Sequence, residues 1–142
     1  MRLIELSIRN VRGICELDLK SEGRNFLIWG ANGSGKSAVV DAIDFLLTGR
    51  VSRLTGKGTG DIRLELHGAH IDHKAQDATV RAIVAIANYA RPIEIKRCIA
   101  TPGRLEFADP RDEPYLAPVL SVAARGQHVL TRREILKFIT VT

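Results

Sequence analysis

The chain has 142 residues, and its 45% hydrophobic and 26% charged residues exclude a disordered chain and indicate one soluble globular domain. No apolar run approaches the ~20 residues that a membrane-spanning helix needs, and charges interrupt the first ten residues, which argues against a secretion signal. The net charge of +5 favours an anionic partner such as a nucleotide or a nucleic acid, although a modest positive excess also serves simply to keep a domain soluble.

The start of the chain predicts an antiparallel β-hairpin. Ile4, Leu6 and Ile8 alternate with neighbours that point the other way, which is typical of a half-buried strand. Residues 10–13 predict a turn, and residues 14–20 alternate in the same manner. The short connection between the two strands favours antiparallel pairing.

A buried strand and an amphipathic helix are predicted next. Residues 26–29, Phe-Leu-Ile-Trp, show no alternation, as expected of a strand covered on both faces of a sheet. A helix is predicted over about residues 36–48, with Gly49 where a C-terminal cap belongs. Its predicted apolar face consists of Val39, Val40, Ile43, Leu46 and Leu47. We expect Asp41 and Asp44 to lie on its solvated face.

The stretch between this strand and this helix carries the most specific motif of the chain. It reads Gly-Ala-Asn-Gly-Ser-Gly-Lys-Ser, which fits the spacing G-x-x-x-x-G-K-[ST] of a Walker A phosphate-binding loop. Glycines let backbone N–H groups wrap around a phosphate, and the helix directs its positive end at the same charge. The predicted nucleotide-binding residues are Gly30, Ala31, Asn32, Gly33, Ser34, Gly35, Lys36 and Ser37.

Two side chains of the motif have distinct predicted roles. Lys36 would reach the β- and γ-phosphates as a point charge, and the Ser37 hydroxyl would ligate the Mg²⁺ ion that bridges them. A glycine-rich turn that carries a lysine by chance is the alternative, and the flanking strand and helix disfavour it. The motif therefore predicts nucleotide binding with Mg²⁺.

The rest of the chain predicts a mostly antiparallel sheet and a terminal helix. Residues 50–61 are basic and glycine-rich and predict a surface loop. Four strand-like segments follow, at "IRLELHG", "TVRAIVAIA", "IEIKRCIA" and "RLEFA". Residues 109–114 predict a polar loop, and residues 115–124 fit either a strand or a short helix. Thr131 and Glu134 form a capping box that predicts a helix over "LTRREILKFI".

The order of these motifs resembles a known family. Residues 2–49 combine the hairpin, the turn "NVRG", the loop "GANGSGKS" and "DAI" in the first helix. This combination resembles the N-terminal ATPase lobe of the SMC, RecF and RecN branch of ABC-type ATPases. The resemblance implies an α/β P-loop NTPase lobe with an N-terminal β-hairpin, a mixed or antiparallel sheet and a C-terminal helix. Residues 1–142 would form one such lobe, and we expect the second lobe to be absent from this chain.

The resemblance implies two further nucleotide contacts. Arg12, in the hairpin turn, would lie beside the nucleotide and contact its phosphates or adenine. Asn32 would help to position the γ-phosphate in a closed dimer of two heads. The alternative for Arg12 is an exposed turn residue, and for Asn32 it is turn geometry alone.

The resemblance also implies catalytic parts that this sequence lacks. Such ATPases carry an apolar run that ends in Asp-Glu, a Ser-Gly-Gly signature and a switch histidine, and none of these occurs here. Asp112 and Glu113 lie in the predicted polar loop and are poor substitutes, so no catalytic residue is assigned. The glutamine that senses Mg²⁺ has two candidates for its position, Gln127 and Arg132.

We therefore expect a Mg-ATP-binding lobe that hydrolyses ATP only with a missing C-terminal lobe and a second head. Alone, it would turn ATP over poorly, because phosphoryl transfer depends on positioning and charge stabilisation. The resemblance implies a larger ATPase that acts on DNA, in repair, chromosome handling or defence, with no membrane partner. The alternatives are the ATPase lobe of an OLD-type nuclease and a non-enzymatic, nucleotide-dependent regulatory or assembly subunit.

The cysteines and histidines give weaker indications. Cys15 and Cys98 form no Cys-x-x-Cys pair, so we expect small buried hydrophobes and a cytoplasmic protein. His67, His70 and His73 recur every third residue. On a strand this spacing alternates between faces, which favours unrelated surface histidines over a metal site.

A basic group follows the first helix. Arg50, Arg53 and Lys57 could contact the phosphates of a nucleic acid, and a plain solvated loop is the alternative. The chain has only seven aromatic residues, which gives base stacking no support.

Overall fold

The computed structural model describes residues 1–51, 69–70, 72, 74–126 and 128–129, which form an α/β domain with one antiparallel sheet. The strands are β1 (Arg2–Val11), β2 (Ile14–Lys20), β3 (Thr79–Ala85), β4 (Ile93–Cys98) and β5 (Leu105–Phe107). The helices are α1 (Lys36–Thr48) and α2 (Glu113–Ala124), with short 3-10 turns at Ala75–Asp77 and Pro110–Asp112. No helix within these ranges combines the length and the apolar character needed to cross a membrane.

The five strands lie in the order β2-β1-β3-β4-β5, and every neighbouring pair is antiparallel. β1 and β2 form a hairpin in which Leu6 lies opposite Leu19 and Ile8 lies opposite Leu17. Directly opposed residues share a face of the sheet, so these four side chains line one apolar face. The predictions of an N-terminal hairpin and an antiparallel sheet are confirmed.

Helix α1 packs on the sheet and has the predicted bounds. Phe45, in its last turn, is fully buried, as are Ile8, Val80 and Ile95 of the strands. The helix ends at Gly49, which adopts a left-handed conformation (φ 72°) and donates its N–H to the Phe45 carbonyl at 2.8 Å. This bond satisfies one of the carbonyls that a helix end leaves without an intrahelical donor.

The predicted faces of α1 are wrong at three positions. Asp41 and Asp44, expected in solvent, are 2% and 3% exposed, whereas Val40, expected in the core, is 39% exposed. The helix contacts α2 as well as the sheet, so its buried arc is wider than the arc that the apolar residues define. Asp44 is paired inside the fold, where its carboxylate lies 2.9 Å from His128 Nε2.

The segment before the loop is not the buried strand that its sequence predicts. Residues 26–30 have no regular secondary structure, and Leu27 and Trp29 are 88% and 91% exposed. A central strand needs a neighbouring strand on each side and a layer on each face. The described strand pairs and the single bridge between Val11 and Ala69 do not include residues 26–30, so the described part of the chain gives this segment no neighbouring strand.

Three of the four later strand predictions are confirmed, since β3, β4 and β5 coincide with them. The segment "IRLELHG", residues 52–61 of the basic loop and the terminal helix lie outside the described residues. Residues 115–124 are helical and belong to α2. The loop predicted over residues 109–114 is wrong at its end, because Glu113 and Pro114 belong to α2, and Pro110–Asp112 form a short 3-10 turn before it. Buried Asp112 accepts hydrogen bonds from the Tyr89 hydroxyl and the Arg91 guanidinium, both at 2.6 Å.

Candidate nucleotide-binding site

The glycine-rich loop forms a tight turn at the start of α1. Gly33 and Gly35 both have φ of 85°, a left-handed conformation that residues with a Cβ adopt at a cost. The Ser34 N–H donates to the Ala31 carbonyl at 3.3 Å, and a Cβ added to Gly30 would lie only 2.8 Å from Ser34 Oγ. The loop is therefore compact at the end of a 13-residue helix whose first N–H groups attract an anion.

Lys36 lies over this loop. Its ammonium donates to the Gly30 carbonyl at 2.6 Å and to the Ala31 carbonyl at 2.5 Å, and Nζ is 3.4 Å from Ser34 Oγ. An ammonium has three N–H donors. These contacts keep the positive charge beside the backbone that the motif assigns to phosphate binding.

The hairpin turn and the loop line one cleft of about 310 Å³. Its lining includes Arg12 from the turn, Asn32 and Lys36 of the motif, and Ser37 and Asp41 from α1. The fold thus brings two cations, a hydroxyl and a helix N-terminus to one place. These groups suit a polyphosphate, and the hydroxyl oxygen is a ligand type that Mg²⁺ accepts.

Arg12 is positioned by an unusual turn. Its φ of 56° and the φ of 55° at Asn10 are left-handed, which is uncommon for residues other than glycine. The His70 N–H donates to the Asn10 carbonyl at 2.7 Å, and Asn10 Nδ2 donates to the Asp77 carbonyl at 3.2 Å. The turn is thereby tied to residues far along the chain.

Asp41 also lines this cleft, although the sequence predicts it in solvent. Its side chain is 3% exposed, and its Oδ2 lies 3.8 Å from Arg12 Nε. Among the described residues it provides the one carboxylate that lines this cleft. The signal was the spacing, because Asp41 follows Ser37 by four residues and therefore lies on the same face of the helix.

A second cleft of about 370 Å³ adjoins the first and shares Gly13, Gly35 and Lys36 with it. Ile14, Leu17 and Val39 give it an apolar lining. Cys15 also faces it and is exposed, so the prediction of a buried Cys15 is wrong. The side chain opens onto the cleft instead of the closed core.

The two cysteines are free thiols in different surroundings. Cys15 Sγ lies 3.3 Å from His70 Nε2, and the Asp72 N–H donates to His70 Nδ1 at 3.3 Å. Cys98 is half-buried on β4, so it is less buried than expected.

Several predicted residues receive no structural account. His67, His73, Arg53, Lys57, Gln127 and Arg132 lie outside the described residues, whereas Arg50 is described and exposed. Within the described part of the chain, no group of three or more His, Cys, Asp or Glu side chains is arranged to hold a metal ion.

Comparison with known proteins gives one family. A family model described as an AAA domain matches residues 5–107, well over half of the 142 residues. The matched range includes the whole motif and extends from within β1 to the end of β5. No curated protein matches the chain.

Proposed function

The chain belongs to the AAA domain family, whose members are generally ATPases that bind nucleotide, and from this premise we propose that it binds Mg-ATP through residues 30–37 and Arg12. The observation that carries the proposal is the cleft of about 310 Å³ at the N-terminus of α1. Arg12, Lys36 and Ser37 all line that cleft, which supports a site where a triphosphate would meet both cations.

Each residue of the cleft would hold a different part of the ligand. Lys36 would bind the β- and γ-phosphates, the loop N–H groups would surround the β-phosphate, and Ser37 would hold Mg²⁺. Arg12 would contact the phosphates or the base, and Asn32 the γ-phosphate. When bound, Mg²⁺ neutralises phosphate charge and orients the phosphate oxygens.

We propose further that the lobe works in a larger ATPase of the SMC and RecF type that acts on DNA. A C-terminal lobe and a second head would complete the site, with ATP between the two heads. The exposed apolar residues Phe26, Leu27 and Trp29 immediately precede the loop, and they suit cover by a strand of such a lobe. Exposed Arg50, with Arg53 and Lys57, would contribute to contacts with DNA phosphates.

Mg-ATP binding to the purified 142-residue chain tests the site. We expect Lys36→Ala to weaken Mg-ATP binding by about tenfold or more, because the variant loses at least one charge-assisted hydrogen bond to a phosphate. Lys96→Ala is the matched control, because Lys96 is an exposed lysine on β4 that does not line the cleft. Equal affinity of the Lys36→Ala and wild-type chains would contradict the phosphate-site assignment.

ATP turnover by the same preparations tests whether this chain can hydrolyse ATP without a second lobe. We expect negligible ATP hydrolysis by the wild-type chain, because Asp41 is the one carboxylate in the described lining of the cleft and it is paired with Arg12. Turnover of about 1 s⁻¹ that disappears in Lys36→Ala would show that the chain carries its own catalytic group.

A further inference from the structure

The buried carboxylate of Asp41 lies between the core and the candidate nucleotide cleft. Its side chain is 3% exposed, whereas the Arg12 side chain beside it is 28% exposed. Both residues line the cleft together with Lys36 and Ser37. The pair therefore has its negative member inside the fold and its positive member at the cleft.

A buried carboxylate is costly unless a positive group or hydrogen bonds compensate it. Arg12 provides a positive charge through Nε, at 3.8 Å from Oδ2. A guanidinium has five N–H donors in a planar fork, so an ion pair through Nε leaves its terminal nitrogens able to donate to a second anion. One arginine can thus bridge Asp41 and a phosphate.

We infer that Asp41 is a positioning residue, whose carboxylate holds the Arg12 guanidinium toward the cleft and thereby strengthens triphosphate binding. The inference rests on the proposed function, because it assigns Asp41 a role at the same site. The left-handed backbone of Arg12 (φ 56°) determines where its side chain leaves the turn, and Asp41 then determines where the guanidinium lies.

A positioning role and simple charge repulsion predict opposite changes in Mg-ATP affinity when the Asp41 charge is removed. A carboxylate near a bound triphosphate repels it, so removing the charge alone would increase the affinity for Mg-ATP. Removing a residue that positions Arg12 would decrease that affinity. The direction of change therefore separates a positioning role from a carboxylate that is merely nearby.

The experiment measures Mg-ATP affinity for Asp41→Asn, Arg12→Ala and the double variant of the 142-residue chain. We expect Asp41→Asn to weaken Mg-ATP binding on the order of tenfold in the wild-type background. In the Arg12→Ala background, we expect it to change the affinity by less than about twofold. Asp44→Asn is the matched control, because Asp44 is equally buried on α1, pairs with His128 and does not line the cleft. We expect that variant to bind within about twofold of wild type.

Unchanged or tighter binding by Asp41→Asn would overturn the inference, and so would an equal loss in both backgrounds. Circular dichroism of each variant shows whether it is folded. If Asp41→Asn does not fold, Asp41→Glu replaces it, because it keeps the charge and displaces the carboxylate from its position 3.8 Å from Arg12 Nε. We expect Asp41→Glu to weaken binding in the wild-type background and not in the Arg12→Ala background, and equal affinity of Asp41→Glu and the wild-type chain would overturn the inference. Failure of the proposed function is a separate result, in which Lys36→Ala binds Mg-ATP as the wild-type chain does.

Discussion

At the residue scale, two large aromatic side chains occupy opposite environments. Phe45 of α1 is fully buried, whereas Trp29, next to the loop, is 91% exposed. We expect Phe45→Ala to lower the free energy of unfolding by about 3–5 kcal/mol, because it removes buried surface and leaves a cavity. Trp29→Ala should change it by less than about 0.5 kcal/mol, as at other exposed positions. Urea unfolding of the two variants gives both values.

The pair of variants also tests the exposure of residues 26–30. If they formed a strand buried in this chain, as their apolar sequence predicts, Trp29→Ala would cost several kcal/mol as well. A loss for Trp29→Ala as large as that for Phe45→Ala would therefore contradict the exposed segment seen in the structure.

Single residues differ in how well sequence alone could place them. Lys36 and Ser37 could be placed at the start of a helix, because the motif defines a local turn that needs few distant contacts. The burial of Asp41 and Asp44 could not be predicted, because polarity predicts solvent and each lies against a distant residue, Arg12 for Asp41 and His128 for Asp44. A charged side chain is rarely buried unless it is paired, and here the partners lie far away in sequence.

At the element scale, the C-terminal end of α1 depends on a glycine. Gly49 has φ of 72°, and an added Cβ would clash with the Pro102 carbonyl oxygen. Buried Arg97 crosses the same region, donating from Nε to the Leu46 carbonyl at 2.9 Å and from Nη1 to the Pro102 carbonyl. Helix end, arginine and loop therefore occupy one tightly packed junction.

We expect Gly49→Ala to lower the free energy of unfolding by more than about 1 kcal/mol, because the left-handed conformation and the backbone clash both oppose a Cβ. Gly103→Ala is the control, since nothing lies within 4 Å of its added Cβ and its φ is not left-handed. Thermal unfolding of both variants gives the comparison. Equal stability of the two would show that the chain leaves α1 by another path.

Elements with local signals were the predictable ones. The bounds of α1 followed from its apolar spacing and its glycine cap, and the hairpin followed from alternation across a short turn. The strand prediction for residues 26–29 was wrong because an apolar run shows only that a segment can be buried. Whether it is buried depends on the strands and helices that pack around it. The sequence of residues 115–124 in α2 does not distinguish a strand from a helix, because its apolar composition fits both.

At the scale of the whole molecule, partly exposed ion pairs join parts of the sheet and the start of α2. Arg111 and Arg91 hydrogen-bond to Asp109 and hold the pKa of that carboxyl below its ordinary value of 3.8. Arg81 lowers the pKa of Glu94, its neighbour across β3 and β4. The carboxylates are therefore more acidic in the folded chain than in the unfolded one.

This difference makes stability depend on pH in a defined direction. A carboxyl group with a lowered folded-state pKa stabilises the fold above its unfolded-state pKa, and the contribution is lost as the pH falls through its folded-state pKa. Between those two pKa values, the unfolded chain binds more protons than the folded chain. We expect the free energy of unfolding to decrease from about pH 5 toward about pH 2, measured by urea unfolding at each pH.

Asp109→Asn isolates the largest of these carboxylate shifts. The variant removes the group that Arg111 and Arg91 hold ionised, so its free energy of unfolding should fall less steeply with acid than that of the wild-type chain. Salt at about 1 M screens exposed pairs, so it should flatten the wild-type curve toward that of the variant. The lowered pKa values would be contradicted if the free energy of unfolding of the wild-type chain increased as the pH is lowered from about 5 to about 3. Such an increase requires the folded chain to bind protons more tightly than the unfolded chain.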